Sequence, residues 1–233
     1  MVKGALVKVR RPREESHSLI SKHLSSKKRK PKLPFSFERK KFGGIRMCQR
    51  CLRTKPDRCH HCSQCNQCVL KMDHHCPWVA NCIGFFNYKY FMNMLIYTSL
   101  TTWLVLLTTW DILCYSLTND LIDYRLSYAI ATSYLLCSSL ALVISGFLCF
   151  HLWLIYKQYT TIEFCEKRSD NDSNFKTSPY NRGLWDNFRG VFGENPLLWF
   201  VPLGKPFCQH HSLIAAPGKG NGLVFEVRED LKA

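Results

Sequence analysis

The chain has 233 residues, a formal net charge of +15 and 13 cysteines. This length allows one or two ordinary domains. So many cysteines would suit a disulfide-rich secreted domain, but the N-terminal sequence MVKGALVKVRRPREE has no apolar stretch of the kind found in signal peptides. Cysteine pairs interspersed with histidine in a reducing compartment indicate metal binding instead.

Residues 1–46 hold most of the excess positive charge. Residues 1–47 contain 15 Lys and Arg against 3 Asp and Glu, and their apolar residues show no sustained periodicity. We therefore interpret residues 1–46 as a basic, mostly disordered segment. Its densest run, KKRK at 27–30, could dock on nucleic acid or on anionic lipid, and the rest of the chain must decide between them.

Residues 47–87 form a cysteine-rich block, in which eight cysteines fall between positions 48 and 82. The block is too polar to form a hydrophobic core, and a domain of this size needs a staple such as zinc. Structural zinc takes four Cys or His ligands, often with two residues between paired cysteines. The block holds enough ligands for two zinc sites. Spacing leaves their assignment open, two all-cysteine sites included, and no internal repeat is evident beyond the cysteine pairs.

Two long uncharged runs follow the block. Residues 90–110 and 128–156 are 21 and 29 residues long, with Tyr and Trp near their ends. About 20 apolar residues suffice for a helix to cross a bilayer, and terminal aromatic side chains suit the headgroup layer. Buried core helices are the alternative, but both runs are long for soluble proteins. We predict transmembrane helices over 88–110 and 128–156, joined by a loop at 111–127.

The distribution of basic residues predicts the orientation in the membrane. Arg125 is the only Lys or Arg in the loop 111–127, whereas both outer flanks are rich in them. By the positive-inside rule the loop is non-cytosolic, and the cysteine-rich block and the C-terminal region 157–233 are cytosolic. The predicted fold is thus an α-helical integral membrane protein of an endomembrane or the plasma membrane, with two spanning helices and a small cytosolic zinc-stapled domain. In such a protein the basic segment meets membrane lipid, and we expect no nucleic-acid partner.

The pattern of the cysteine-rich block is C-x2-C-x9-H-C-x2-C-x2-C-x4-DHHC-x5-C. With the two spans that follow, it strongly resembles the DHHC family of protein S-acyltransferases (palmitoyltransferases). Further family motifs are KPDR at 55–58, DHHCPW at 73–78, NCIG at 81–84, TTIE at 160–163 and the C-terminal Asn187. The resemblance covers roughly residues 43–205.

The resemblance implies two interleaved zinc sites, each with three cysteines and one histidine. The implied ligands are Cys48, Cys51, His61 and Cys68 in the first site, and Cys62, Cys65, His75 and Cys82 in the second. Both zinc ions would be structural. Cys76 would then be a free nucleophile, with a further zinc ligand as the alternative reading, and Cys59 would be a spare thiol.

The implied activity is acyl transfer through Cys76. Adjacent residues in extended backbone point to opposite sides, so His75 could face zinc while His74 faces the thiol. His74 could take the thiol proton, and Asp73 could fix the imidazole tautomer, as in a catalytic triad. Cys76 would accept a long-chain acyl group from acyl-CoA, such as palmitoyl-CoA, and pass it to cytosolic juxtamembrane cysteines of substrate proteins.

The resemblance also suggests where the acyl donor binds. Lys55, Arg58 and His60 could contact the coenzyme A phosphates, and an ordinary solvated basic face is the alternative. Trp78 could border the acyl chain or anchor the domain at the membrane interface. Asn187 is expected to tether the C-terminal region to the spans.

The sequence departs from the family in one respect. The family usually has four spanning helices, with the cysteine-rich block between the second and the third, whereas residues 1–46 contain no run that could span. A second hypothesis therefore stands beside the enzyme. The chain would be a catalytically incomplete, membrane-anchored zinc module that binds partner proteins.

Overall fold

The computed structural model describes the following residues: 38, 44–119, 121–169, 178–202, 222–223 and 225–226. They belong to two compact units. The first contains the cysteine-rich block up to residue 86 together with residues 220–226, and the second contains the helices between residues 87 and 205. Most of the segment 1–46, which the sequence predicts to be disordered, lies outside the described residues.

The first unit contains three short antiparallel hairpins in succession. The strand pairs are β1 (Met47–Cys48) with β2 (Arg53–Thr54), β3 (His60–Cys62) with β4 (Gln67–Val69), and β5 (His74–Cys76) with β6 (Asn81–Ile83). Isolated two-stranded hairpins are marginally stable in water even when they are longer than these. The hairpins therefore need a further element to hold them together, as the sequence predicts for a zinc-stapled domain.

Each hairpin turns through one residue with a left-handed backbone. Leu52, Asn66 and Ala80 have φ angles of 53°, 52° and 48°. Asn is common in this conformation, but Leu and Ala are not, because their Cβ crowds the following carbonyl at a cost of roughly 1–2 kcal/mol. Something outside the turn must therefore stabilise it.

The segment at residues 222–226 packs on the cysteine-rich unit. The Arg58 guanidinium carbon lies 5.3 Å from the centroid of the Phe225 ring, whose own centroid is 6.1 Å from that of Phe85. Gly222 has a φ of +72°, and a Cβ there would lie 2.8 Å from a carbon of the Phe85 ring, so only glycine fits. These contacts leave the Arg58 side chain almost completely buried.

The second unit is helical. Its helices are α1 (Tyr88–Thr118), α2 (Tyr124–Lys157), α3 (Thr161–Ser169) and α4 (Leu184–Phe192). Polar side chains join the two long helices: Ser99 Oγ lies 2.9 Å from Ser145 Oγ, which also accepts a hydrogen bond of 2.9 Å from the indole of Trp103. Hydrogen bonds of this kind are typical contacts between helices in lipid, where no water competes for them.

Both long helices extend beyond the predicted spans. The first uncharged run ends at Trp110, but α1 continues to Thr118. The second helix begins at Tyr124, so most of the predicted loop 111–127 is helical. A charged residue marks where a helix can leave the hydrocarbon, whereas the helix itself ends where its backbone hydrogen bonds end. The sequence boundaries therefore underestimate the helices.

The two long helices meet the length and composition needed to cross a membrane. Large apolar side chains along them are open to their surroundings, with Leu107 73% and Leu135 68% exposed. A core helix of a soluble protein would cover such side chains, whereas lipid accepts them. The predicted fold class is confirmed as a helical membrane protein with two candidate spanning helices and a cysteine-rich unit that could hold metal ions.

Asn187 fixes α4 to the end of α2. Its side chain is buried, and Nδ2 donates hydrogen bonds of 2.8 Å to the Tyr156 carbonyl and to Asn181 Oδ1. Its Oδ1 accepts a bond of 3.2 Å from the backbone N–H of Arg182. These contacts lie where the sequence predicts a tether, and they satisfy both ends of the buried amide.

The TTIE motif begins α3 with a capping box. The backbone N–H of Glu163 donates to Thr160 Oγ1 at 3.2 Å, and the backbone N–H of Thr160 donates to Glu163 Oε2 at 2.9 Å. This reciprocal pair satisfies two N–H groups that a helix start leaves without partners. The motif thus has a structural role that the sequence analysis did not assign to it.

Candidate active site and metal centres

Four ligand atoms of the first hairpins converge on one point. The Sγ atoms of Cys48, Cys51 and Cys68 lie 3.5, 3.2 and 4.0 Å from Nδ1 of His61. All four ligand atoms lie within 4.8 Å of one another. These are the four residues that the family resemblance assigns to its first zinc site.

A second group has the same composition. The Sγ atoms of Cys62, Cys65 and Cys82 lie 3.7, 3.4 and 3.6 Å from Nδ1 of His75. Two of these sulfurs, those of Cys65 and Cys82, are 3.4 Å apart. This group coincides with the second implied site.

The size and donor chemistry of both groups fit zinc. A tetrahedral zinc ion with ordinary Zn–S and Zn–N bonds would separate sulfur from nitrogen by about 3.6 Å and sulfur from sulfur by about 3.8 Å. The sulfur–nitrogen distances in the two groups run from 3.2 to 4.0 Å. Each group could therefore hold one metal ion, with no disulfide among the described cysteines to compete for the thiols.

Each group combines two local devices. The first is the turn of a Cys-x-x-Cys pair, here called a knuckle, in which the backbone N–H of the second cysteine donates to the first sulfur. Cys51 donates to Cys48 in this way and Cys65 to Cys62, both at 3.4 Å. The second device is a cross-strand pair of one histidine and one cysteine.

The cross-strand pairs come from the second and third hairpins. His61 lies opposite Cys68 in the pairing of β3 with β4, and His75 lies opposite Cys82 in the pairing of β5 with β6. Each candidate metal site therefore takes the knuckle of one hairpin and the cross-strand pair of the next. A metal ion in such a site would join two hairpins, which is the stabilising element that their short strands require.

The ligands of the second group follow those of the first at a constant offset of 14 residues. The strands of the second and third hairpins are related by the same offset. The expectation that the block contains no repeat beyond its cysteine pairs was therefore wrong. The repeat is visible in the sequence when the whole pattern C-x2-C-x9-H-x6-C is compared with itself, because two copies overlap.

Adjacent residues of strand β5 place their side chains on opposite faces of the strand. His75 points toward the second metal group, and residues one position away in a strand point to the other face. His74 and Cys76 therefore share the face of β5 opposite to the metal ligands. Cys76 is buried and belongs to neither group of four.

An acid lies next to His74. Oδ2 of Asp73 lies 2.7 Å from Nδ1 of His74, and the Asp73 carboxylate is buried. The backbone N–H of Asp73 donates to the Ile83 carbonyl at 2.8 Å, which fixes this residue to β6. Because a carboxylate only accepts hydrogen bonds, this contact favours the neutral tautomer that carries its proton on Nδ1. Nε2 is then the basic nitrogen of the ring.

The spare thiol predicted at Cys59 is buried and lies outside both groups of four. Removal from water raises its pKa to about 11, which keeps it protonated at neutral pH. A buried, protonated thiol is a poor nucleophile. Cys59 differs from the metal-group cysteines in its position outside both groups of four, and not in its burial, because Cys48, Cys62 and Cys82 are buried as well.

The residues predicted to contact coenzyme A differ in exposure. Lys55 and His60 are half-buried, Arg58 is 1% exposed and Trp78 is 93% exposed. The backbone N–H of Lys55 donates to the Arg46 carbonyl at 2.7 Å. The burial of Arg58 argues against the alternative that this residue belongs to an ordinary solvated basic face.

A network of charged residues near Arg58 was missed by the sequence analysis. Glu38 pairs with the Arg46 guanidinium and accepts the backbone N–H of Arg58 at 3.0 Å. The backbone N–H of Glu38 in turn donates to Asp57 Oδ1 at 2.9 Å. Opposite charges that are this closely paired can be buried without leaving an isolated ion. No local sequence signal points to it, because Glu38 lies 8 residues from Arg46 and about twenty from Asp57 and Arg58.

Comparison with known proteins is consistent with this site. Residues 41–168, more than half of the chain, match the family described as DHHC palmitoyltransferase. The chain is 37% identical over 194 residues to the palmitoyltransferase ZDHHC2 of Danio rerio, covering 83% of this chain and 52% of the relative. It is 42% identical over 164 residues to a probable protein S-acyltransferase 13 of Arabidopsis thaliana, covering 69% of this chain and 52% of the relative. The chain spans about half the length of the curated relatives it matches.

A cysteine-rich unit that could hold metal ions, followed by two helices that could cross a bilayer, defines a class of membrane protein with a metal-binding domain. Within that class, the chain belongs to the DHHC palmitoyltransferase family. The resemblance drawn from the cysteine-rich block and the two spans is thereby confirmed.

Proposed function

We propose that this chain is a protein S-palmitoyltransferase that carries the acyl group on Cys76. The alternation along β5 is the observation that carries the proposal. It directs His75 toward the second metal group while His74 and Cys76 share the opposite face. Membership of the DHHC palmitoyltransferase family and the similarity to palmitoyltransferases support the same activity.

In the first step the Cys76 sulfur attacks the thioester carbonyl of palmitoyl-CoA. The Cys76 proton passes to Nε2 of His74, a new carbon–sulfur bond forms, and the bond between the acyl carbon and the coenzyme A sulfur breaks. The imidazolium then returns its proton to the departing coenzyme A thiolate. The Asp73 carboxylate, 2.7 Å from Nδ1, stabilises the charged imidazole between these transfers.

In the second step a cysteine thiol of a substrate protein attacks the Cys76 thioester. His74 removes the proton of the incoming thiol, the acyl group moves to the substrate sulfur, and Cys76 leaves as a thiolate that recovers the proton. One thioester is exchanged for another in each step, so the bonds broken and formed are equivalent. The main contributions of the protein are positioning and proton transfer.

The two Cys/His groups would hold structural zinc ions. Zinc bound there would join the hairpins and fix β5, and it would supply no chemistry to the acyl group. The donor atoms suit zinc, since thiolate and imidazole nitrogen are its usual ligands. Lys55, Arg58, His60 and Trp78 are proposed to contact the acyl-CoA, with the cations on the phosphates and Trp78 on the acyl chain or at the membrane interface. Arg58 is buried, and its guanidinium would reach a phosphate only after Phe225 moves away from it.

We place the cysteine-rich domain and the C-terminal region on the cytosolic side. The distribution of basic residues around the two spans supports this orientation. It would place Cys76 on the cytosolic side of the membrane, where acyl-CoA is available. The acceptors would be cytosolic cysteines close to the membrane in substrate proteins.

Acyl-enzyme formation tests the proposal. The full chain, purified in detergent, is incubated with labelled palmitoyl-CoA beside Cys76→Ser, and the label is tested for release by neutral hydroxylamine. Zinc is counted in both preparations, so that loss of the fold is recognised. We expect hydroxylamine-labile label on the parent chain, none on Cys76→Ser, and two zinc ions in each.

The same experiment distinguishes the enzyme from the second hypothesis, a zinc module without catalytic activity. Two zinc ions per chain without any label would contradict the enzymatic proposal and favour a membrane-anchored zinc module that binds partner proteins. If the label persisted in Cys76→Ser, the nucleophile would be a cysteine other than Cys76.

A further inference from the structure

The turn that follows Cys76, here called the third knuckle, repeats the strand register and the left-handed residue of the two complete knuckles, but it has no second cysteine. Its left-handed residue, Ala80, lies 14 positions after Asn66, which lies 14 positions after Leu52, and the three φ angles agree within 5°. In each copy the left-handed residue comes four positions after a cysteine. Cys76 is therefore equivalent to Cys48 and Cys62, the first cysteines of the two complete knuckles.

The strand pairing repeats at the same offset. Cys48 lies opposite Arg53, Cys62 opposite Gln67 and Cys76 opposite Asn81, each at the inner end of its hairpin. The backbone around Cys76 thus follows the path that presents Cys48 and Cys62 to metal. Strand pairing and the left-handed residue alone do not distinguish Cys76 from a ligand.

One residue of the third knuckle differs in chemistry. Cys51 and Cys65 supply the second thiol of the complete knuckles, and Val79 occupies the equivalent position after Cys76. In addition, the chain enters α1 at Tyr88, so within the described chain no fourth hairpin follows to supply a cross-strand pair. The third knuckle has one of the four ligands that a complete set contains.

We propose that Val79 determines the specificity of this position for acyl transfer, because it keeps Cys76 from binding metal. With a ligand at position 79, the turn would chelate a divalent zinc ion between two side chains. His74, on the same face of β5, could add a third donor, which is enough for an open zinc site. The Val79 side chain has no donor atom, so it leaves Cys76 as a single thiol available to a thioester. This inference deepens the proposed function and rests on it for the role of Cys76.

Position 79 allows a direct test because its side chain is 42% exposed. Val79→Cys restores the second thiol of a knuckle, and Val79→His introduces a different ligand that cannot form a disulfide with Cys76. Val79→Thr is the matched control, with the same branched shape and no good zinc ligand. Each full-length variant is purified in detergent with its zinc counted first, and two zinc ions per chain show that the complete sets remain intact.

Protection of Cys76 from alkylation is the readout. Each variant is treated with iodoacetamide with and without added zinc, and the modified fraction of the Cys76 peptide is measured by mass spectrometry. We expect added zinc to protect Cys76 in Val79→Cys and Val79→His, and a mild chelator that spares the two complete sets to remove the protection. Alkylation in Val79→Thr should not depend on added zinc. Zinc should likewise suppress acyl-enzyme formation in the two ligand variants alone.

Equal alkylation with and without zinc in both ligand variants would overturn the inference, since the third turn would then be unable to act as a knuckle. Protection in Val79→Thr would overturn it too, because Cys76 would bind metal whatever residue follows. Zinc protection confined to the ligand variants, with no acyl label on any chain, would sustain this inference while the proposed function failed.

Discussion

Asp73 and His74 are neighbours in the chain whose side chains meet, with 2.7 Å between Oδ2 and Nδ1. Consecutive residues of a regular strand point to opposite faces, so this contact requires Asp73 to lie just outside the strand. It does: β5 begins at His74, while the backbone N–H of Asp73 bonds to the Ile83 carbonyl. The carboxylate of Asp73 holds the imidazole at Nδ1, so Nε2, at the other side of the ring, does not face this carboxylate.

Asp73→Asn should slow acyl-enzyme formation while leaving the domain folded. The amide is close in size to the carboxylate but cannot stabilise an imidazolium, and it can favour the wrong tautomer. We expect a loss of roughly 10²–10⁴-fold in the single-turnover rate with labelled palmitoyl-CoA. The zinc content should remain at two per chain. An unchanged rate would show that His74 does not become charged during the reaction.

Replacing ligand cysteines should change the metal content by one ion at a time. Cys48→Ser removes a thiolate from the first group and Cys82→Ser removes one from the second, so each variant should fall from two zinc ions per chain to one. The two groups share the second hairpin, and either loss should also lower the unfolding temperature.

Cys59→Ser is the matched control for these two variants. It also removes a buried thiol, but one outside both groups. We expect it to retain two zinc ions, as measured by elemental analysis of the purified chain. A drop to one would mean that Cys59 replaces one of the assigned ligands.

Asn187→Ala should destabilise the helical unit. The substitution leaves the Tyr156 carbonyl and the Arg182 N–H without their partner in a buried position, which costs roughly 2–3 kcal/mol. Thermal unfolding in detergent measures the effect. Asn195→Ala is a control at an exposed cap, whose single bond to the Leu197 N–H should cost about 1 kcal/mol or less. Equal effects at the two positions would argue against the tether.

The capping box can be tested by two substitutions at one residue. Glu163→Ala removes the carboxylate that accepts the Thr160 N–H and should reduce the free energy of unfolding by about 1 kcal/mol. Glu163→Gln keeps an acceptor at the same place and should retain most of the stability. If the two variants behave alike, the charge of Glu163 matters more than its hydrogen bond.

The sequence predicted the composition of the chain's parts better than their arrangement. The lengths of the two uncharged runs predicted both long helices, because the interior of a bilayer accepts apolar side chains. The many cysteine and histidine residues predicted metal ligands, because thiolates and imidazoles bind zinc. Local rules could also have predicted the capping box, since Thr160 and Glu163 have the required spacing. The overlapping 14-residue pattern was equally accessible and was missed because only cysteine pairs were compared.

Other features could not have been read from local sequence. The burial of Arg58 is one of them, because Phe225, more than 150 residues away in the chain, covers its guanidinium. Glu38 likewise accepts the backbone N–H of Arg58, which lies twenty residues further along the chain. Contacts of this kind depend on the path of the whole chain, whereas propensities and spacings report only on neighbours.

The overlap of the two ligand patterns has a consequence for biosynthesis. When Cys68 leaves the ribosome and completes the first set, Cys62 and Cys65 of the second set have already emerged, and His75 and Cys82 have not. The nascent chain therefore passes through a stage with more thiols than one zinc ion would need. The pairing of β3 with β4 places His61 opposite Cys68, while the neighbouring Cys62 belongs to the second group. The register of this hairpin, and not the order in which the cysteines emerge, thus separates the ligands of the two groups.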